Sequence, residues 1–324
     1  MTLSYAVIGT GAIGGYYGGR LAKSGGDVHF LLRSDYEHVK ENGIVVDSVE
    51  GDFALPNVKA YSRAAEMPPV DVALVCLKST QNTSLPSVLP ALKPNGVVLI
   101  LQNGWGVEAE IEQILKETVN AEATIFGGLC FICANKVGPG HISHIDYGRL
   151  LIGEHIPAVS EQFAPVERLK AIAADFNRAN VATDITNDLP MARWLKLVWN
   201  VPYNALSVVL DATTEEMMAN ENTRSLILVL MREVVSVANA WGEQNEKGEE
   251  RALSEDVIEQ MFEQTETMPP YLTSMKLDYD LKRPLEIRAI LTTPLTVADS
   301  LNVSVPAMRM LNQQLTFLDD RNMR

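Results

Sequence analysis

The chain is poor in the residues that cross-link or metallate small proteins. Three cysteines and five histidines in 324 residues exclude a disulfide framework. Positive charge is also scarce: 27 Lys and Arg stand against 41 Asp and Glu, a formal charge of −14. Nucleic acid is therefore not an expected partner, because its phosphates need a basic face. No apolar run reaches the roughly 20 residues of a bilayer span. No basic region precedes the first apolar stretch, so neither a membrane nor a secretory signal is expected and a cytoplasmic address is the default. Any phosphate site in so acidic a chain must be built locally, from one or two Arg or Lys side chains and backbone N–H groups.

The metal signals are thin. "CFIC" gives Cys130 and Cys133 the CxxC spacing of redox and zinc sites, yet its surroundings are apolar and strand-like and there is no second pair. These cysteines, like Cys76, read as buried structural thiols. His141 and His144 in "HISH" face opposite sides if the segment is a strand, which disfavours a shared ligand role. No metal is expected.

What is present is enough apolar residue, 47%, for two ordinary cores. "YAVIG" reads as a buried strand and residues 12–24 as a helix. "DVHFLL" is a second strand, with a helix from Asp35, and "VDVALVCLK" and "GVVLILQN" are two more, separated by a helix-like segment from "STQNTS". Such Val/Ile/Leu strands joined by helices predict a Rossmann-like, doubly wound, mostly parallel α/β sheet. From residue 123, "ATIFGGLCFICANK" and "GHISHIDYGRLLIGE" extend that sheet as a meander through Gly-Pro-Gly, followed by a helix over 160–178 and the strand "ATDIT". Beyond "TNDLP" the pattern is all-α, opening on Asp188 as N-cap with Pro190 in the first turn. "TRSLILVLMREVVSVANAWG" is apolar around most of its circumference, as a central buried helix or a subunit interface would be. The expected domains are 1–186, nucleotide-binding, and 187–324, helical and substrate-binding.

Gly9, Gly11 and Gly14 form GxGxxG between the first strand and the first helix, the context that gives the motif its physics. Gly9 permits the turn, Gly11 lets the backbone approach a pyrophosphate, and Gly14 lets the helix pack on the strand, with Thr10, Ala12 and Ile13 completing the loop. An acid closing the second strand would bind an NAD ribose. Here Arg33 and Ser34 stand there, and an arginine fork pairs with a 2′-phosphate. NADP is favoured, while Asp35 keeps an acidic ribose partner, and so NAD, in view.

The helical half contains "RWLKLVWNVPYNALS", where Lys196, Asn200 and Asn204 recur every four residues. On a regular helix they share one face, in a stretch otherwise apolar. Either Lys196 snorkels to solvent and the amides are structural, or the row serves carbonyl reduction. In the second case a lysine protonates the oxygen and stabilises the alkoxide while amides orient the substrate. Pro202 lacks a backbone donor and is expected to interrupt this helix.

The chain resembles the ketopantoate reductase (2-dehydropantoate 2-reductase) family over essentially its whole length. The resemblance rests on "GTGAIGG", "LVCLKSTQ" with Lys78, "LQNGWG" with Asn103, "GPGHISHIDYG", "WLKLVWN", and "TSMKLDYDLKRPLEI" with Ser274, Asp278 and Glu286. It implies reduction of 2-dehydropantoate to (R)-pantoate, on the route to pantothenate and coenzyme A. NADPH would give its hydride to the ketone carbon and Lys196 would be the proton donor. Gly9–Gly14 would hold the pyrophosphate and Arg33 the 2′-phosphate. Lys78 and Asn103 would lie at the nicotinamide end, with Ala134 a backbone contact to the cofactor and Asn103 also near substrate. Asn200, Asn204 and Ser274 would bind the substrate's carboxylate and hydroxyl, and Glu286 would touch the ribose and position Lys196. Such a site would lie in a cleft between the domains. The chain departs from the family pattern at Thr214, where a substrate-binding Asn is usual, and at Arg288 and Thr292, which replace an acid and a small residue. Rival readings are a paralogous reductase of another 2-oxo acid and a non-catalytic NADP sensor. A homodimer is left open.

Overall fold

The computed structural model describes residues 3–155, 166–245 and 251–324; the first residues of the helix expected over 160–178 lie outside this set. Two compact units emerge: Met1–Gln102 with Val107–Leu189, and Asn103–Gly106 with Pro190–Arg324.

The first unit is one ten-stranded sheet carrying helices. Its strands are β1 (Ser4–Ile8), β2 (Asp27–Leu31), β3 (Ile44–Ser48), β4 (Phe53–Leu55), β5 (Lys59–Tyr61), β6 (Val70–Val75), β7 (Leu92–Ile100), β8 (Thr124–Gly138), β9 (His141–Glu154) and β10 (Thr183–Thr186). They lie in the order β4-β3-β9-β8-β7-β6-β1-β2-β5, with β10 beside β9. Only β3–β4 and β8–β9 run antiparallel, so the sheet is mostly parallel, as the apolar strands require. Val72–Val75 and Val97–Leu101 are buried throughout, which explains why these strands show no alternation.

Helix α1 (Ala12–Lys23) follows β1 and α2 (Tyr36–Asn42) follows β2. The segment from "STQNTS" is a 3₁₀ turn at Ser79–Ser84 that runs into the short α3 (Leu85–Val88); Pro86 and Pro90 leave no room for a longer helix. Helices α4 (Val107–Leu115) and α5 (Val166–Arg178) complete the unit. Because β2 and β6 flank β1 on opposite sides, the chain reverses its winding at the carboxyl end of β1, where open α/β sheets bind ligands.

The second unit contains α6 (Leu189–Val209), α7 (Thr214–Met218), α8 (Glu221–Gln244), α9 (Asp256–Thr267), α10 (Ser274–Asp280), α11 (Thr293–Ser300) and α12 (Pro306–Asn322). It holds no strand among the described residues. Helix α6 starts directly after Asp188, with Pro190 in its first turn. Helix α8 is long and apolar enough to cross a membrane by length and composition, which corrects the count made on the sequence. Its Ile227, Leu230, Met231, Val234, Val235, Val237 and Ala238 are buried in the hydrophobic core of this unit, and a core helix meets the same criterion.

Candidate active site

The glycine loop has the space its sequence demands. Gly9 has φ +97°, and a Cβ there would sit 2.8 Å from the Leu77 amide nitrogen. A Cβ on Gly14 would collide with the Gly9 carbonyl oxygen and lie 2.8 Å from Val7 Cγ1. Around Gly11 nothing comes within 4 Å. Two glycines are therefore required by packing, while the middle one leaves an open approach at the start of α1. No side chain caps this helix, so its first N–H groups point at that opening; these residues fit a pyrophosphate. Thr10 Oγ1 donates to Leu31 O at 3.0 Å, fastening the loop to the end of β2.

Beyond that end, Arg33 and Ser34 are exposed. Asp35 is only 6% exposed. Its Oδ1 accepts from Ser34 Oγ at 3.0 Å, and its Oδ2 accepts the Gly140 N–H at 3.0 Å and pairs with Lys136. Burial pushes this carboxyl up, but the ammonium and the two hydrogen bonds prevail and hold it below the ordinary carboxylate range. Asp35, through which NAD stayed in view, thus spends both oxygens inside the protein. Lys136 and Gly140 belong to the β8–β9 hairpin, a clamp with no local sequence signal.

Lys78 is half-buried in the turn after β6. Gln102 Nε2 holds that turn by donating to Leu77 O at 2.9 Å and Asn82 Oδ1 at 2.7 Å. Ala134 is buried on β8, opposite His144 and beside a register shift. The same hairpin presses Ile142 against α1, where a Cβ on Gly15 would lie 2.7 Å from Ile142 Cγ1. Cys130 and Cys133 are buried thiols outside any disulfide, and burial pushes Cys133 up to about 12. His141 meets Asp47, whereas His144 meets Ser48 and the Tyr147 carbonyl; the two rings serve different partners.

Lys196, Asn200 and Asn204 lie on α6, which is continuous through Pro202. The expected interruption does not occur. Val198, Val201, Tyr203 and Ala205 are buried on both sides of the proline, and core packing outweighs the lost hydrogen bond. Lys196 is half-buried. Asn200 and Asn204 are 5% and 2% exposed. Asn200 Nδ2 has no hydrogen-bond partner among the described residues.

One turn beyond Asn204, Ser207 Oγ lies 2.7 Å from Thr273 Oγ1. Thr273 caps α10 by accepting from Lys276 N–H, so this bond draws Ser274, the first residue of α10, towards the amide row. Thr214, where the family carries an Asn, is buried and bonds the backbone of Tyr271 in both directions at 3.3 Å. Its hydroxyl holds the segment that leads into Thr273. Asp278 pairs with Arg283 at 3.6 Å. Thr292 Oγ1 bonds Asn312 Oδ1 at 3.0 Å, while Arg288 is exposed.

Asn103–Gly106 belongs to the second unit, although the sequence groups it with the first. Trp105 stacks on Trp194 with centroids 4.2 Å apart and meets Trp241 edge-on at 5.2 Å. Its backbone N–H donates to Ala289 O at 2.8 Å, and Gly104, at φ +107°, has no room for a Cβ beside Ala289. Glu286, 4% exposed, lies two residues before the π-helical turn Arg288–Thr292. Asn103, Lys196, Asn200, Asn204, Ser274 and Glu286 are thus residues of one unit; Gly9–Gly14, Arg33, Ser34, Lys78 and Ala134 are residues of the other. The tryptophan cluster is not visible in the sequence, because Trp105, Trp194 and Trp241 lie in three separate segments with no spacing that links them.

Residues 5–157 match the family model described as ketopantoate reductase PanE/ApbA, and residues 188–319 match its C-terminal counterpart. The 2-dehydropantoate 2-reductase of a Nostoc species is 49% identical over 319 residues, spanning 98% of this chain and 96% of the relative. The chain belongs to the ketopantoate reductase family. Solved structures of 2-dehydropantoate 2-reductases agree. That from Geobacter metallireducens has 37% identity and a TM-score of 0.86, covering 97% of this chain and 99% of its own. That from Methylococcus capsulatus has 32% identity and a TM-score of 0.82, covering 99% and 98%. Membership in the ketopantoate reductase family accounts for the pairing of a glycine-loop unit with a helical unit that carries the Lys-Asn-Asn row.

Proposed function

We propose that this protein reduces 2-dehydropantoate to (R)-pantoate with NADPH, in the cytoplasm, on the route to pantothenate and coenzyme A. The observation that carries the reading is Asn200: an amide 5% exposed, with Nδ2 unpartnered among the described residues, in line with Lys196 and Asn204 on α6. Leaving such a donor buried and unbonded costs about 1–3 kcal/mol. The cost is offset when a polar substrate supplies the acceptor.

NADPH, when bound, supplies the hydride that adds to the ketone carbon. Gly9–Gly14 would hold its pyrophosphate and Arg33 its 2′-phosphate, joined by Ser34 when its single hydroxyl proton turns from Asp35, while Lys78, Asn103 and the Ala134 backbone would hold the nicotinamide end and Glu286 the ribose. Lys196 donates a proton to the ketone oxygen, and its charge stabilises the developing alkoxide. Asn200, Asn204 and Ser274 fix the carboxylate and hydroxyl, so that the carbonyl is presented in one orientation. Glu286 keeps the Lys196 ammonium in place. The assembly is the monomer or a homodimer, decided by mass in solution.

Initial rates of NADPH oxidation with 2-dehydropantoate, pyruvate and 2-oxoisovalerate test the reading. A kcat/KM highest for 2-dehydropantoate is expected. A higher value on either other acid moves the substrate to another 2-oxo acid, and silence with all three despite NADPH binding makes the protein a sensor.

A further inference from the structure

The β8–β9 hairpin brings a second cation to the end of β2. Lys136 Nζ pairs with Asp35 Oδ2, which also accepts the Gly140 N–H at 3.0 Å, while Ser34 Oγ holds Oδ1 at 3.0 Å. Ser34 and Arg33, immediately before Asp35, remain exposed. Thr10 Oγ1 anchors the glycine loop to Leu31 O, two residues ahead of Arg33. Loop, arginine and ion pair therefore occupy one end of the sheet.

Without Lys136, Arg33 and Asp35 would cancel, and a doubly charged phosphate would meet a neutral surface beside a carboxylate. With Lys136 the carboxylate is neutralised and Arg33 acts as net positive charge. The ammonium is a three-donor group on a side chain 31% exposed, so it keeps donors for a neighbouring anion. A carboxylate that would accept from ribose hydroxyls, and so favour NADH, is at the same time withdrawn into the hairpin. We propose that Lys136 is a specificity-determining residue. It sets the preference for a 2′-phosphorylated dinucleotide by masking Asp35 and adding positive charge beside Arg33 and Ser34. The inference rests on the NADPH reading above.

Its test is calorimetric binding of NADPH and of NADH to the full-length wild type, Lys136→Met, Lys136→Arg and Asp35→Asn/Lys136→Met proteins, with no turnover required. Lys136→Met should weaken NADPH about tenfold while NADH changes by less than about twofold, and the NADPH loss should shrink at high salt. Lys136→Arg should retain the preference, and Asp35→Asn/Lys136→Met should recover much of it, since no carboxylate then needs masking. Equal loss of both cofactors in Lys136→Met would make the lysine a mere hairpin fastener and overturn the proposal, as would an unchanged NADPH-to-NADH ratio. A wild type that prefers NADH, or binds neither, overturns the NADPH reading itself and the proposal with it.

Discussion

The indole of Trp105 stacks on that of Trp194 with ring centroids 4.2 Å apart. Asn103 lies just before the first tryptophan and Lys196 just after the second. The backbone N–H of Trp105 also donates to the Ala289 carbonyl, so the indole stack joins the segments that carry Asn103 and Lys196, and the main chain beside it holds the segment that carries Glu286. Trp105→Ala should lower kcat at least about tenfold in the folded fraction, as misplacement of reacting groups does. Trp105→Phe, which keeps an aromatic face, should stay within roughly threefold of wild type. Steady-state kinetics corrected for folded protein decide it; an unchanged kcat in Trp105→Ala removes the positioning role.

Replacement of Lys196 by Ala should reduce kcat by about 10² to 10⁴, the usual worth of a general acid. NADPH affinity should stay close to wild type, because the glycine loop and Arg33 are residues of the other unit. Turnover that survives the change eliminates Lys196 as the proton donor.

Arg33→Ala should weaken NADPH by about tenfold or more and NADH far less, since only the former offers a phosphate to the guanidinium fork. Parallel titrations with both cofactors measure the ratio. An equal loss refutes the phosphate contact.

The loop glycines should separate by function. Gly11→Ala enters open space and should leave the thermal midpoint nearly unchanged while impairing dinucleotide binding. Gly14→Ala forces a Cβ against the Gly9 carbonyl and Val7 and should cost about 1–3 kcal/mol, the usual range for overpacking. Denaturant curves and cofactor titration on both variants check the contrast; similar behaviour of the two would contradict it.

Acid should loosen the hairpin through His144. Burial is the main cause that holds this imidazole below its ordinary pKa, helped by the charge of Arg20, against the pull of the Tyr147 carbonyl and Glu50. Its ring is 2.8 Å from Ser48 Oγ and 3.0 Å from Tyr147 O, a set that the neutral tautomer satisfies. A histidine whose folded pKa is depressed contributes stability above the unfolded value, near 6.5, and that contribution is lost as the pH falls below it. The urea midpoint should therefore decline between about pH 7.5 and 5.5, and the decline should be shallower in His144→Gln. Identical slopes would assign the pH dependence elsewhere.

Much of the architecture was legible because its signals are local. Buried parallel strands are written as unbroken Val/Ile/Leu runs such as Val72–Val75. The glycine loop is written as spacing between a strand and a helix, and the Lys196-Asn200-Asn204 row as a four-residue repeat. Pro202 was misjudged because its local cost is visible in sequence, whereas the packing of Val198, Val201 and Tyr203 that overrides it is not. Strands β4 and β5, three residues each, are too short for a pattern to emerge, and β3 alternates buried Ile44 and Val46 with exposed Val45 and Asp47 and so lacks the unbroken apolar run of the central strands.

By itself, then, the sequence determined the central strands of the sheet, the glycine loop, the arginine that follows it and the face that presents the lysine, since each depends on residues a few positions apart. Only the tertiary structure decided that Asp35 is held by Lys136 and Gly140, more than a hundred residues away. It alone assigned Asn103–Gly106 to the helical unit through Trp105 and Ala289, and employed Thr214 on the Tyr271 backbone. These are long-range contacts between single side chains. They have no periodicity, and their partners are set by how the elements pack.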